Sequence, residues 1–177
     1  WLKSMKDNYD PLREMTDLID PDSTLLFKGT EENMLNVSPA LSPDGKQIVF
    51  LSTRDLFSID LYLADTATGK INRKLVTTAA DPYFDSLQFI KSAGSWDAEG
   101  KRFVFGAIRK GQPILSISNV DTGEKEKEIV FEEIDEILNP TWSPDGLYIA
   151  FSALQGGFTD IFLYDLQKEQ LKKMTDD

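Results

Sequence analysis

"NPTWSPDGLYIAF", residues 139–151, places a Trp, a Pro-Asp-Gly turn and an apolar run in succession, and the chain contains two further copies of this arrangement. The other copies are "PALSPDGKQIVFLS" around Gly45 and "GSWDAEGKRFVFGA" around Gly100. In every copy a Phe falls five residues after the Gly, and a second apolar run, a polar turn and a third run follow. One structural unit is therefore used three times.

Each unit indicates four short strands separated by turns. Pro presets the backbone of the turn, Asp accepts hydrogen bonds from nearby amides, and Gly supplies a positive φ without steric cost. The strand after the turn is apolar on both faces, with Ile48 and Phe50 on one side and Val49 on the other. Antiparallel sheets that are covered on both faces stack on one another, and radial stacking gives a propeller. The sequence therefore predicts an all-β fold, a partial β-propeller of about three four-stranded antiparallel blades with a short N-terminal helical and linker segment.

Large apolar residues precede the turns, namely Leu41, Trp96 and Trp142. We expect these side chains to lie on the innermost strand of each blade and to pack between neighbouring blades. An aromatic platform for a ligand is the alternative. The middle copy departs from the turn pattern, because Asp97-Ala98-Glu99-Gly100 lacks the Pro.

The pattern P-x-W-S-P-D-G-x-x-I-x-F-S, followed by "DIFLYDL" and "LKKMT", resembles the TolB-like, WD40-like β-propeller repeat of bacterial proteins. The resemblance covers roughly residues 37–177 and is closest in the third copy. The first copy has Leu41 in place of Trp, and the second has Gln112-Pro113 where the others have an acid before the third strand. The resemblance implies a propeller module of an exported bacterial protein, with six or seven blades in a closed ring.

The repeat register predicts the division of the chain into four segments. Residues 1–30 form a helix, an outer-strand-like segment and a linker, and the blades span 31–78, 79–131 and 132–177. "LREMTD", residues 12–17, matches "LKKMTD" at 171–176 and is expected to be an outer strand, while "TLLFKG" at 24–29 is a further strand candidate. Trp1, Leu2, Met5 and Tyr9 have the spacing of a short amphipathic helix, with a frayed end as the alternative.

Three stacked blades leave two terminal faces without a neighbouring blade. Each of these faces would expose an apolar patch of the size that monomers rarely tolerate, about 300–600 Å² or more. Further blades, a second copy of the chain or a partner protein would cover them. We expect further blades of a longer chain.

Composition excludes several classes of function. The net charge of −11, from 30 acids against 19 bases, opposes binding to nucleic acid and to anionic membranes, and no apolar run predicts membrane insertion. Without Cys or His the chain has no disulfide, no Ser-His-Asp triad and no imidazole zinc site. No cofactor or metal site is predicted. Asp60 and Asp160 invite a catalytic or calcium role, but we expect them to accept hydrogen bonds from a loop or to pair with an Arg.

In a propeller, the loops between the second and third strands and the links between blades lie on one edge, here called the loop rim. It comprises residues 52–60, 77–86, 107–113, 132–136 and 153–160. Aromatic and basic side chains of the kind that anchor protein interfaces occur in these segments. The predicted partner-binding residues are Arg54, Phe57, Tyr83, Phe84, Arg109, Lys110 and Phe158. The alternative is that an aromatic of the loops is buried as a plug.

The leading functional hypothesis is a non-catalytic propeller module that binds a protein or peptide through the loop rim, in the periplasm or another extracytoplasmic compartment. The alternative is an accessory or gating propeller of a peptidase or hydrolase whose catalytic domain lies outside these residues. A weaker third hypothesis is a carbohydrate-active site made of paired carboxylates.

Overall fold

The computed structural model describes residues 1–14, 23–27, 35–55, 58–76, 86–87 and 94–176. A helix, α1 (Leu2–Glu14), precedes the strands. The strands of the first sheet are β1 (Asn36–Leu41), β2 (Gln47–Ser52), β3 (Asp60–Asp65) and β4 (Ile71–Val76). Those of the second are β5 (Ser86–Leu87), β6 (Ser95–Trp96), β7 (Arg102–Arg109), β8 (Gln112–Asn119) and β9 (Lys125–Val130). Those of the third are β10 (Glu136–Trp142), β11 (Tyr148–Gln155), β12 (Phe158–Asp165) and β13 (Gln170–Lys173).

The three sheets are the three blades predicted from the repeat. Blades 1 and 3 have the strand orders β1-β2-β3-β4 and β10-β11-β12-β13, and every pairing in them is antiparallel. In blade 2 the innermost position is divided between β5 and β6, which both pair with β7. The all-β propeller architecture and the short N-terminal helix are therefore confirmed.

Side-chain hydrogen bonds hold the Ser-Pro-Asp-Gly turns. In blade 1 the Ser42 hydroxyl accepts the Gln47 N–H at 2.9 Å and donates to Asp44 at 2.8 Å, and Gly45 has a φ of 72°. Blade 3 repeats this arrangement at Ser143 and Asp145. The turn therefore fixes the start of the second strand in both blades.

In blade 2 the Asp97 carboxylate alone accepts the backbone hydrogen bonds that hold the turn, in place of a Ser and an Asp. It accepts the backbone N–H groups of Lys101 at 2.9 Å and Arg102 at 3.1 Å, and the Arg102 Nε donates to it at 2.8 Å. Burial favours the neutral acid, but these hydrogen bonds outweigh burial and hold the pKa of Asp97 below its ordinary value. The turn that lacks the Pro therefore carries an ion pair that the other two turns do not have at this position.

Alternating side chains of each middle strand point to opposite faces of the blade, which we call the front face, toward the preceding blade, and the back face, toward the following one. Two apolar layers result. The back face of blade 1 packs on the front face of blade 2, and the back face of blade 2 packs on the front face of blade 3. The Phe five residues after each Gly, at positions 50, 105 and 151, lies on a front face.

Two of the three apolar residues that precede the turns pack between blades, as predicted. We call these residues, Leu41, Trp96 and Trp142, the wedge residues. Trp96 and Trp142 are only 8% and 7% exposed, and each lies within one of the inter-blade layers. The Trp96 indole N–H also donates to the Ala40 carbonyl of the neighbouring innermost strand at 2.9 Å. The prediction for Leu41 is wrong, because this side chain is 58% exposed. It occupies the same register, opposite Ile48, but no blade precedes blade 1 among the described residues.

The N-terminal predictions are partly confirmed. The predicted helix is present as α1, and the apolar side chains of Leu2, Met5 and Tyr9, together with Trp1 just before the helix, are exposed. The outer-strand prediction for residues 12–17 is wrong where it is testable, because residues 12–14 belong to α1 and 15–17 lie outside the described residues.

The strand expected at residues 24–29 is also absent from its described part, residues 24–27. Instead, the Phe27 ring packs against the Phe50 ring with centroids 4.8 Å apart and planes tilted by 36°. Phe27 therefore covers part of the front face of blade 1.

The first prediction concerns the wedges. Trp96→Ala should lower the free energy of unfolding by about 3–5 kcal/mol, because it leaves a cavity in an inter-blade layer. Leu41→Ala is the matched control at the same register and should change it by no more than about 0.5 kcal/mol. Urea unfolding followed by circular dichroism measures both. Equal losses would contradict the assignment of Trp96 as a wedge.

The second prediction concerns pH. The folded-state pKa of Asp97 lies below its unfolded value, so its stabilisation is present above the unfolded pKa and is lost as pH falls through the folded pKa. As pH falls below the ordinary Asp value of 3.8, the wild-type chain should lose more stability than Asp97→Asn does. Urea unfolding midpoints across a pH series test this. Identical pH profiles would rule out the role assigned to Asp97.

Candidate binding surfaces

Two tight hairpins project from blades 2 and 3 at the loop rim. Lys110 and Gly111 connect β7 to β8 with φ values of 50° and 75°. Gly156 and Gly157 connect β11 to β12 with φ values of 59° and 91°. Two successive residues with positive φ are typical of a type I′ turn, whose twist matches that of the paired strands. Both tips are therefore short extensions of the sheet.

Phe158 is the most exposed aromatic side chain of the loop rim in the part of the chain that the structure describes, at 63%. Its hairpin is tied to the link between blades 2 and 3. The Gly156 N–H donates to the Asp135 carboxylate at 3.1 Å, and the Asp135 N–H donates to the Leu154 carbonyl at 2.8 Å. The hairpin thus presents Phe158 to solvent from a braced position.

The other predicted rim residues have different environments. Arg54 and Lys110 are exposed. Arg109 is half-buried, and its guanidinium pairs with Glu128 at 2.5 Å, so its charge is already partly used within blade 2. Three of the predicted rim residues lie outside the described residues, namely Phe57, Tyr83 and Phe84.

Asp60 and Asp160 are buried in ion pairs on the front faces. Lys74 lies 2.6 Å from Asp60, and Lys173 lies 2.8 Å from Asp160. The partner is therefore a Lys rather than the predicted Arg. Ser58 donates to Asp60 in blade 1, and Thr175 donates to Asp160 in blade 3.

These pairs shift the pKa of the two lysines. Burial opposes the charged form of Lys74, but hydrogen bonds to Asp55 and Asp60 outweigh it and raise its pKa above the usual lysine value. The hydrogen bond to Asp160 raises the pKa of Lys173 in the same direction. Both lysines therefore carry a firmly held charge, which suits a structural ion pair and not a proton-transfer group.

Blade 2 replaces both members of the pair. Ile114 occupies the strand position of the buried acid, and Glu128 occupies the position of the lysine. Glu128 instead forms ion pairs with Arg109 at 2.5 Å and with Lys125 at 2.7 Å. The charge on the outer strand of this blade is therefore reversed.

On the opposite edge, a groove of about 380 Å³ lies between blades 2 and 3. We call this edge, which carries the Ser-Pro-Asp-Gly turns, the turn rim. The Arg102 guanidinium stacks over the Trp142 ring at 4.6 Å, and Lys127 lines the groove. This surface was not predicted from the sequence. The available signal was the charge of Arg102, because the equivalent residues after the other turns are Gln47 and Tyr148.

Within the described ranges, no group of three or more acidic residues is arranged to hold a metal ion. Every helix in the same ranges is too short or too polar to cross a membrane.

Known proteins were compared with the chain by sequence. No family model matches it. The Tol-Pal system protein TolB of Francisella tularensis subsp. tularensis strain WY96-3418 is 27% identical over 118 residues, which are 66% of this chain and 25% of that protein. The chain therefore spans about a quarter of the length of the curated relatives it matches.

Solved structures show the same similarity. TolB from Acinetobacter baumannii has a TM-score of 0.65 and 25% identity, over 80% of this chain and 32% of that one. A putative TolB from Agrobacterium tumefaciens has a TM-score of 0.63 and 19% identity, over 81% and 50%. A prolyl endopeptidase has a TM-score of 0.57 and 16% identity, over 84% and 23%, which shows a shared fold alone.

The third prediction uses blade 2 as a natural template for blade 3. Lys173→Met should lower the free energy of unfolding, because it leaves the buried Asp160 carboxylate without the Lys173 cation. The double variant Asp160→Ile, Lys173→Met imitates the apolar Ile114 position and should recover most of that loss. Urea unfolding of the single and double variants provides the measurement. A double variant as unstable as the single one would contradict the proposed origin of the loss.

Proposed function

We propose that this chain, which carries three blades of a TolB-like β-propeller, is a non-catalytic module that binds a protein or peptide through its loop rim. The proposal rests chiefly on Phe158, a large aromatic side chain held in solvent by a braced hairpin. Exposed aromatic residues on rigid elements anchor protein interfaces at a low cost in conformational entropy.

The charged side chains of the loop rim favour a partner with both polar and apolar groups. Lys110 and Arg54 supply exposed cations on the hairpin and loop of the other two blades. The link beside the Phe158 hairpin supplies exposed acids, namely Glu132, Glu133 and Asp135. An apolar anchor with a charged surround of both signs fits the core-and-rim arrangement of protein interfaces.

The relatives favour the same class of partner and suggest a compartment. The curated relatives are named as proteins of the Tol-Pal system, and a protein system favours a protein partner over a small molecule. TolB homologues are periplasmic, in agreement with the extracytoplasmic location expected from the sequence. We extend both properties to this chain as part of the proposal, together with the blade boundaries at residues 31–78, 79–131 and 132–177.

A second candidate function is an accessory or gating propeller beside a catalytic domain. The fold shared with a prolyl endopeptidase favours it, because a propeller of this kind occurs in that enzyme's chain. The two candidate functions predict different motifs in the sequence of the parent protein. An upstream H-E-x-x-H or a downstream G-x-S-x-G would support the accessory role, whereas further blades without either motif would support the binding module.

The fourth prediction tests the loop rim with displayed peptides. A library of random peptides on phage is panned against the immobilised chain, and the enriched peptides are titrated against variants. Phe158→Ala should weaken their binding by about tenfold or more, as expected for an aromatic anchor. Arg54→Ala and Lys110→Ala should weaken it less, because exposed charges contribute mainly to the association rate.

Leu147→Ala and Lys168→Ala are the matched controls, since both residues are exposed on the turn rim. They should leave binding unchanged. Binding that is lost in the controls and kept in Phe158→Ala would move the site to the other edge and overturn the proposal.

A further inference from the structure

The groove on the turn rim between blades 2 and 3 contains a guanidinium group that is fixed in place. The Arg102 Nε donates to the Asp97 carboxylate at 2.8 Å, and the guanidinium carbon lies 4.6 Å from the centre of the Trp142 ring. The Arg102 Nη2 also lies close to Gly146, because a Cβ added there would stand 3.5 Å from it. These contacts orient the guanidinium before a ligand arrives, which lowers the entropic cost of binding to it.

The two terminal nitrogens of Arg102 remain available for a ligand. Neither donates to an acceptor among the described residues. Two cations of the outer strands are engaged, by contrast. Both terminal nitrogens of Arg73 donate at 2.8 Å to carbonyls of the next blade, and Lys127 pairs with Glu169 at 2.6 Å. Arg102 therefore keeps a parallel pair of donors, the arrangement that matches the two oxygens of a carboxylate.

Trp142, which also lines the groove, carries a second unused donor. Its equivalent in blade 2, Trp96, donates its indole N–H to the Ala40 carbonyl at 2.9 Å. The Trp142 indole is buried, and its N–H has no hydrogen-bond partner among the residues that the structure describes. Because nearly all buried donors in proteins are hydrogen-bonded, this exception distinguishes the Trp142 site from the satisfied Trp96 site and favours a polar ligand at this groove.

The groove also has an apolar side. Leu147 occupies the position after the turn Gly, where the other two blades have Lys46 and Lys101. The Leu166 N–H donates to the Leu147 carbonyl at 3.0 Å, which brings the two leucines together. Ile117, only 3% exposed, lines the groove from blade 2. An apolar surface and a guanidinium therefore share one groove of about 380 Å³.

We propose that this groove binds the C-terminal carboxylate of a partner peptide whose last side chain is apolar. The carboxylate accepts one hydrogen bond from each terminal nitrogen of Arg102, and the last side chain packs against Leu147, Leu166 and Ile117. The volume is near the lower end of the range for ligand pockets, about 300–1,000 Å³, which suits the end of a chain. The site lies on the edge opposite the loop rim, and the inference is independent of binding there.

A C-terminal residue fits the groove better than an acidic side chain within a peptide. In the last residue the carboxylate and the side chain leave the same Cα, so both reach one small groove. In an extended segment neighbouring side chains point to opposite faces, so an internal acidic residue and the apolar residue beside it would point apart. The placement of Arg102 next to Leu147 therefore selects a chain end.

The net charge of −11 limits the affinity, but it acts at longer range than the contact with Arg102. Salt screens exposed charges over about 8 Å at physiological ionic strength, whereas charge-assisted hydrogen bonds act at contact distance. Glu126, an acidic residue of the groove lining, is exposed and already accepts a hydrogen bond from Asn119 at 3.0 Å. We therefore expect a weak site that prefers a carboxylate to a neutral end group.

The fifth prediction uses the tripeptide acetyl-alanyl-alanyl-leucine as the probe, in its free-acid and amide forms. NMR titration of the complete chain should shift the indole N–H signal of Trp142 and the Nε–H signal of Arg102. The free acid should bind at least about tenfold more tightly than the amide, because only the free acid forms the charge-assisted pair. Acetate should bind more weakly than the free acid, because it has no side chain to contact the leucines.

Substitutions at Leu147 test the carboxylate by its charge. This residue is exposed, and a lysine is accommodated at the same position in the other two blades, so both variants should fold. The free acid should bind Leu147→Lys about tenfold more tightly than Leu147→Glu, as expected for opposite unit charges about 6 Å away in water. The amide should bind both variants equally, because it carries no charge.

Arg102→Gln tests the guanidinium itself and introduces the residue that blade 1 has at this position, Gln47. This variant should bind the free acid and the amide equally. Lys101→Gln is the matched control, because it removes the same charge from a neighbouring exposed residue outside the groove lining. It should keep the preference for the free acid.

Other results would overturn the proposal. Absence of any shift at Trp142, or equal binding of the free acid and the amide to the parent chain, would show that the groove does not recognise a carboxylate. Acetate that binds as tightly as the free acid would remove the peptide from the proposal. A preference for the free acid that survives in Arg102→Gln would place the anion elsewhere. If Arg102→Gln does not fold, equal binding of the free acid to the two Leu147 variants is the result that overturns it.

Discussion

The burial of both faces of each sheet is the constraint on which the structure depends. A four-stranded sheet with apolar side chains on both sides is not stable alone in water, because each face needs a partner of matching shape. The repeat meets this need by placing Trp96 and Trp142 on innermost strands and a Phe on each second strand, so that consecutive blades share one apolar layer.

The repeat register made most of the architecture predictable from the sequence. Gly45, Gly100 and Gly146 fix the phase of the strands, and side-chain alternation then assigns each residue to a face. Two of the errors arose where tertiary context overrides a local pattern. Leu41 has the right register but no preceding blade against it, and residues 12–14 continue a helix although their sequence matches an outer strand.

The candidate site was less predictable because its chemistry depends on contacts between distant residues. Arg109 was expected at the surface of the loop rim, but its guanidinium is held by Glu128, which lies 19 residues away on a strand that is not adjacent to it. Arg102 stacks on Trp142 across a blade boundary, and only the assembled layer reveals that pairing. Phe158 was assigned to the loop rim from the repeat register, but the Gly156-Gly157 turn that exposes its side chain was not predicted.

The reversed charge on the outer strand of blade 2 affects how a chain of similar repeats avoids pairing its strands in the wrong order. Near-identical strands are prone to exchange during folding, since one outer strand fits the edge of another blade. If β4 took the place of β9, Lys74 would lie beside Arg109 in a setting where Ile114 offers no carboxylate. If β9 took the place of β4, Glu128 would lie against the buried Asp60. Both mistakes bring like charges together, so the outer strand of blade 2 is distinguished by its charge from that of blade 1.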